Sequence, residues 1–206
     1  MDWTPLHLDA KAKGTLVFAM RQEQLPIGKI PIVSGLTRNG ICLGLSISWI
    51  AAQYDGGNFS HSSQVCEWPP IKAVLYHVLA GWSEHAEWTD RWETGGAIEQ
   101  LTLSSGLRGW RFTRPSASFL YSIVTKAYGC YGVTMWGPWG LHAVALRHGR
   151  DNRMHFFDPN YGHFAVKDHT HLKSFLTWFF EKSDYRKGYA DGHAIVGIKP
   201  PIGPST

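Results

Sequence analysis

Cys42 is the side chain in this chain best placed by its neighbours to act as a nucleophile. It follows the turn signal Asn39-Gly40, which also suits the start of a helix. The apolar residues after it fit both an alternating strand and one face of a helix. In the first turn of a helix, the positive end of the helix dipole favours the thiolate, the reactive form of cysteine. On local sequence alone, a small buried apolar role for Cys42 is the simpler interpretation.

His142 and Asp158 are predicted to face each other on two neighbouring strands. The strands span 141–147 and 153–158, and residues 148–152 join them. A turn centred near residue 150 would put His142 directly opposite Asp158, with Cβ atoms about 5 Å apart. The carboxylate could then orient one imidazole nitrogen and leave the other for a thiol, as in a catalytic triad. A register error of one residue would destroy this pairing, because alternate residues point to opposite faces.

The elements that must position these side chains follow from periodicity and turn residues. Apolar residues at helical spacing predict a helix over 170–182, and less regular patterns predict helices over 71–92 and 115–127. Short alternating runs bounded by Gly, Asn, Asp or Pro predict strands over 131–136, 141–147, 153–158, 163–167 and 193–198. Helices followed by antiparallel strands indicate an α+β fold. No linker-like segment divides the chain, so residues 1–206 are expected to form one domain.

Composition excludes several classes of protein. Of the 206 residues, 44% are hydrophobic and 17% charged, which is typical of a globular chain rather than a disordered one. The net charge of +4 is scattered, which argues against a nucleic-acid footprint. No apolar run is long enough to span a membrane, and the start of the chain lacks the apolar core of a signal peptide. Three cysteines are too few for a disulfide scaffold and indicate a reducing compartment.

Taken together, three blocks resemble the YopT/AvrPphB family of bacterial effector cysteine proteases. They are Gly40-x-Cys42-x-Gly44-Leu45-Ser46-x-x-Trp49, Leu141-His142-Ala143-Val144 and Phe156-Phe157-Asp158-Pro159-Asn160-Tyr161-Gly162, and the resemblance covers about 38–198. It implies a papain-like fold, with a helical layer carrying Cys42 packed on a twisted antiparallel sheet. It also implies that Cys42 is the nucleophile, His142 the general base and acid, and Asp158 the orienting carboxylate.

The resemblance further implies a substrate and a place of action. The substrate would be a host protein, such as a signalling protein, cleaved in the reducing host cytosol after secretion without a classical signal peptide. No cofactor is implied. The chain departs from the papain signature Cys-Gly-Ser/Ala-Cys-Trp/Tyr around the nucleophile. For the oxyanion we favour the side chain of Asn39 together with the Cys42 backbone N–H. Exposed Trp136 and Trp139 would line a substrate groove, although most tryptophans pack in cores.

Other interpretations fit the same residues. The triad could serve a peptidoglycan amidase, a deamidase or a transglutaminase-like enzyme. Alternatively, the chain could be a non-catalytic binding module with a Trp-rich surface, in which case Cys42 would be unreactive. The histidines at 155, 163, 169 and 171 match no zinc-binding pattern, so we expect no metal site. No His–Asp pair accompanies Cys66 or Cys130 in its motif, so both cysteines are expected to be structural.

Overall fold

The computed structural model describes residues 4–25, 41–56, 59, 88–103 and 116–200. The helices are α1 (Thr4–Ala12), α2 (Cys42–Asp55), α3 (Trp88–Ile98), α4 (Ala117–Val124), α5 (His169–Lys182) and α6 (Tyr185–Gly188), with a 3-10 turn at Gln22–Gln24. The strands are β1 (Leu16–Ala19), β2 (Thr102–Leu103), β3 (Gly129–Gly137), β4 (Gly140–His148), β5 (Met154–Asp158), β6 (Gly162–Val166) and β7 (Gly192–Lys199). The predicted α+β class is confirmed.

The strands form one antiparallel sheet in the order β1-β6-β5-β4-β3-β7-β2. The five strands that the sequence predicts are all present, with ends that differ by at most two residues. They occupy the middle of the sheet, where alternation and buried β-branched or aromatic residues are strongest. The two strands that sequence patterns do not predict, β1 and β2, are short and lie at its edges.

Helices cover both faces of the sheet, so the molecule has two apolar cores. Strand alternation separates them: Ala145 and Phe157 pack with the residues of α2, whereas Val144 and Phe156 pack with those of α4 and α5. Each core consists of fully or nearly fully buried side chains. The sheet is therefore buried on both faces, with α2 on one face and α4 and α5 on the other.

The β4–β5 register differs from the predicted one by two residues. Ala145 pairs with Phe157, so His142 is not directly opposite Asp158. The loop causes the shift: Gly149 N–H donates to the Arg153 carbonyl at 2.8 Å, and Asn152 takes a left-handed φ of 65°. This centres the turn on residue 151 rather than 150. Because the shift is even, both side chains stay on the same face of the sheet.

Two predicted helices have different bounds in the structure. The one predicted over 115–127 is α4, which begins after Ser116 because the Ser116 hydroxyl caps it by accepting from Phe119 N–H at 3.3 Å. For the helix predicted over 71–92, residues 71–87 lie outside the described residues. The remaining residues belong to α3, which continues beyond the predicted end at 92 to Ile98. None of the helices in the described ranges is long and apolar enough to cross a membrane.

Candidate active site

Cys42 is the first residue of α2, directly after the N-cap residue Ile41. Every residue from Cys42 to Ile50 is buried, so this half of the helix is apolar on all sides. That burial explains why the sequence matched a strand and a helix equally well. The thiol is free and only 4% exposed. It therefore lies where the partial positive charge of the helix start stabilises a thiolate.

His142 and Asp158 are in direct contact despite the shifted register. His142 Nε2 lies 3.1 Å from Asp158 Oδ1, and the two side chains are 2% and 0% exposed. His142 lies near the start of β4, and Asp158 ends β5. Asp158 Oδ1 also accepts the backbone N–H of Asn160 at 2.7 Å, which holds the carboxylate against the turn that follows it.

Burial and two neighbouring side chains together set the pKa of His142. Burial of the ring lowers it, but the charge of Asp158, the hydrogen bond to Asp158 and a hydrogen bond with Cys42 outweigh that effect and raise it to about 10. The Asp158 carboxylate and the Cys42 thiol therefore both act on the protonation of the His142 ring. Such a ring can hold a proton as the imidazolium partner of a thiolate.

Two tyrosines fix the plane of the imidazole. Tyr189 stacks on His142 at a centroid distance of 5.4 Å and an angle of 15°, and Tyr185 meets it edge-on. The Tyr185 hydroxyl lies 3.2 Å from His142 Nε2 and accepts a hydrogen bond from Asn160 Nδ2, also at 3.2 Å. Burial, with the nearby charge of Asp158, raises the pKa of Tyr185 well above its ordinary value, so this phenol stays neutral.

Gln22 joins the start of α2 to the turn after Asp158. Its Oε1 accepts the backbone N–H of Ile41 at 2.9 Å, and its Nε2 donates to Asn160 Oδ1 at 2.5 Å. Its own backbone N–H donates to the Pro159 carbonyl at 2.8 Å. One amide side chain thus connects the residue before Cys42 with the turn that carries Asp158.

Two further contacts fasten α2 to the sheet beside the site. The buried Ser46 hydroxyl donates to the carbonyl of Ala143, the residue after His142, at 3.1 Å. Trp49 stacks in parallel on Phe157, the residue before Asp158, at 5.5 Å. The helix that carries Cys42 is therefore attached to both strands that carry its partners.

The remaining predicted site residues have different outcomes. Trp139 is 47% exposed and meets Tyr185 and Tyr189 edge-on, next to the imidazole. Trp136 is half-buried and packs against the core on the α2 face. Asn39 and Cys66 lie outside the described residues. Within the described residues, no group of three or more His, Cys, Asp or Glu side chains could hold a metal ion.

Sequence reasoning missed Gln22, Asn160 and the two tyrosines. Gln22 contacts residues 19 and 138 positions away, and no local motif encodes such a contact. Tyr185 and Tyr189 are one helical turn apart, which was the only sequence signal that they share a face.

Comparison with known proteins finds a family similarity over part of the chain. The sequence profile of a peptidase family described as Yersinia/Haemophilus virulence surface antigen matches residues 128–195, which include His142 and Asp158. The predicted resemblance to YopT/AvrPphB-type cysteine proteases is confirmed. No curated protein matches the chain significantly.

Two solved structures resemble the fold. The Pseudomonas avirulence protein AvrPphB superposes with a TM-score of 0.60 at 16% identity, covering 90% of this chain and 98% of AvrPphB. PatoxP, a cysteine protease-like domain of the Photorhabdus asymbiotica toxin PaTox, gives a TM-score of 0.50 at 14% identity, covering 96% of this chain and 59% of that one. At these identities the likeness establishes the fold: helices on an antiparallel sheet, as in AvrPphB.

Proposed function

We propose that this protein is an effector cysteine protease that hydrolyses a peptide bond in a host protein. One observation carries the proposal: the buried His142 ring contacts the Asp158 carboxylate, and the Cys42 thiol at the start of a helix is near enough to help raise the pKa of that ring. Cys42 is the nucleophile, His142 the general acid and base, and Asp158 the group that orients and charges the ring. In this proposal, residues 1–206 form one protease domain, which is secreted and acts in the reducing host cytosol.

The first half of the reaction is acylation. Nε2 of His142 faces Asp158 and Tyr185, so Nδ1 is the nitrogen assigned to Cys42 and the substrate. The thiolate sulfur forms a bond to the scissile carbonyl carbon, whose oxygen becomes an oxyanion. When the intermediate collapses, the C–N bond breaks and His142 gives its proton to the leaving amine. A thioester on Cys42 remains, with a neutral imidazole.

The second half is deacylation. A water molecule loses a proton to His142 as its oxygen bonds to the thioester carbon. The C–S bond then breaks, which releases a carboxylic acid and restores the thiolate–imidazolium pair. Each turnover therefore consumes one water and uses no cofactor.

The oxyanion needs hydrogen-bond donors in both halves. The backbone N–H of Cys42 belongs to the first turn of α2, whose amides have no partner within the helix. It is thus the first donor we assign, and the side chain of Asn39 is proposed as the second. Trp139, exposed beside the imidazole, and Trp136 are proposed as walls of the substrate groove.

The test is a search for new protein N-termini in a host-cell lysate treated with the full chain. We expect wild-type protein to generate them and the Cys42→Ser and Cys42→Ala variants to generate none. Cleavage that persists in both variants would contradict the proposal. Hydrolysis of purified muropeptides, or glutamine deamidation without chain cleavage, would instead assign the same residues to an amidase or a deamidase.

A further inference from the structure

A second concave site lies at the opposite end of β4 from His142. A cavity of about 500 Å³ opens where β3 begins and where β4 and β7 end. Arg147, which lines it, is five strand residues from His142, or about 17 Å at the usual strand rise. The cavity is therefore separate from the candidate active site. Its volume is in the range of small-molecule sites.

The cavity is lined by three cationic side chains. They are Arg147, Arg150 and Lys199, and none of the described lining residues is acidic. Arg147 Nη1 donates to the neutral Gln53 amide at 2.9 Å, and neither Arg150 nor Lys199 forms an ion pair within the described ranges. Elsewhere on the surface, Lys13, Arg186 and Lys187 are each paired with a carboxylate. The cavity thus brings three cationic side chains together on one concave surface.

The ring of His148 lines the same cavity beside an exposed tyrosine. His148 is 7% exposed, and its Nδ1–H donates to the Val124 carbonyl at 3.2 Å, which fixes the ring in place. Tyr128, 61% exposed, lies against His148 at 4.5 Å and adds a flat aromatic wall.

We propose that this cavity binds a phosphorylated sugar or polyol. The guanidinium groups of Arg147 and Arg150 and the ammonium group of Lys199 hold the phosphate groups. The exposed ring of Tyr128 covers one face of the sugar or polyol ring. A free sugar phosphate and a phosphoinositide headgroup share this chemistry. The inference does not depend on the proposed protease activity.

The test measures binding of inositol trisphosphate to the full chain by calorimetry. We expect a single site, weakened roughly tenfold or more in Arg150→Ala and in Lys199→Ala, since each variant loses one charge-assisted contact. Lys173→Ala is the matched control, an exposed lysine on α5 outside the cavity, and should bind like wild type. Thermal unfolding checks that each variant is folded.

A second arm distinguishes the two sources of the ligand. Phosphatidylcholine vesicles with and without phosphatidylinositol bisphosphate are sedimented with the protein. Binding to the soluble probe without binding to either vesicle supports a free ligand, whereas binding to the vesicles that contain phosphatidylinositol bisphosphate supports a headgroup. No binding in either arm, or equal weakening by Lys173→Ala, would overturn the inference.

Discussion

Asp158 is a fully buried carboxylate whose ionic partner in the described structure is His142. A buried charge is costly unless it is paired, so the carboxylate favours the protonated ring. In the proposed mechanism, protonated His142 is the partner of the Cys42 sulfur. The reactivity proposed for the Cys42 thiol therefore depends on the charge of Asp158, which acts through His142.

Replacing Asp158 with Asn should inactivate the site without removing the nucleophile. The pKa of His142 would fall, because burial would no longer be offset by the carboxylate. We expect kcat/KM to drop by roughly 10² to 10⁴, the usual scale of general acid–base catalysis. The pH profile of a peptide cleavage assay measures this, and an unchanged profile would refute the assigned role.

Tyr185 should act through its hydroxyl, which the Tyr185→Phe variant removes. Losing one acceptor on His142 Nε2 should lower kcat about two- to thirteenfold, as expected for one neutral hydrogen bond, with KM little changed. Tyr189→Phe is the matched control, because Tyr189 contacts His142 through its ring face. Steady-state kinetics of both variants compares them. Equal losses in the two would mean that the hydroxyl has no positioning role.

At the scale of single residues, the sequence identified the side chains within contiguous motifs. Cys42, His142 and Asp158 each stand in a recognisable block. Gln22, Asn160 and Tyr185 act through contacts between distant parts of the chain, which depend on how the elements pack. Their roles could be seen only once the fold was known.

At the scale of elements, α2 must be held at a fixed height above β4 and β5. The Ser46 hydroxyl bonds the residue after His142, and the Trp49 ring stacks on the residue before Asp158. Helix and strands thereby move as one unit, which keeps the thiol within reach of the ring.

Ser46→Ala should destabilise the fold, whereas Ser48→Ala should not. Both hydroxyls are buried on α2, but Ser46 bonds the Ala143 carbonyl and Ser48 has no partner in the described structure. Losing the first bond should cost about 1–3 kcal/mol, and losing the second hydroxyl should be neutral or stabilising. Urea unfolding of the two variants decides the matter. A larger loss for Ser48→Ala would contradict this description of the interface.

The β4–β5 hairpin illustrates what sequence patterns determine about an element. Alternation located both strands and placed His142 and Asp158 on one face, the face whose neighbours Val144 and Phe156 are buried against α4 and α5. It did not determine the register, which depends on the Gly149–Arg153 hydrogen bond and the left-handed Asn152. Turn geometry of this kind is only weakly encoded in residue types.

At the scale of the whole molecule, the N-terminal segment completes the site from the edge of the sheet. β1 pairs with β6, and Met20 N–H then donates to the Tyr161 carbonyl at 3.2 Å. This path brings Gln22 beside the turn after Asp158. Gly162 permits the approach with a φ of 118°, because a side chain there would collide with the Phe18 carbonyl. Sequence patterns found no regular structure here, since every stabilising contact is distant in the chain.

The raised pKa of His142 also predicts how stability depends on pH. The folded value of about 10 exceeds the ordinary 6.5, so the folded state binds this proton more tightly than the unfolded chain. The resulting stabilisation is fully present below pH 6.5 and is lost as the pH rises towards 10. The free energy of unfolding of wild type, relative to His142→Gln, should therefore decline across this window in urea titrations. A difference that is constant or grows with pH would refute the assignment.

The most direct test of the central claim is the rate at which Cys42 is alkylated by iodoacetamide at different pH values. Mass spectrometry locates the label, and Cys130 is an internal control, because burial raises the pKa of its thiol to about 12. We predict that Cys42 is labelled selectively below pH 7 and that this reactivity is lost or shifted to higher pH in His142→Ala. Labelling of Cys42 no faster than that of Cys130, and independent of His142, would contradict the thiolate–imidazolium pair.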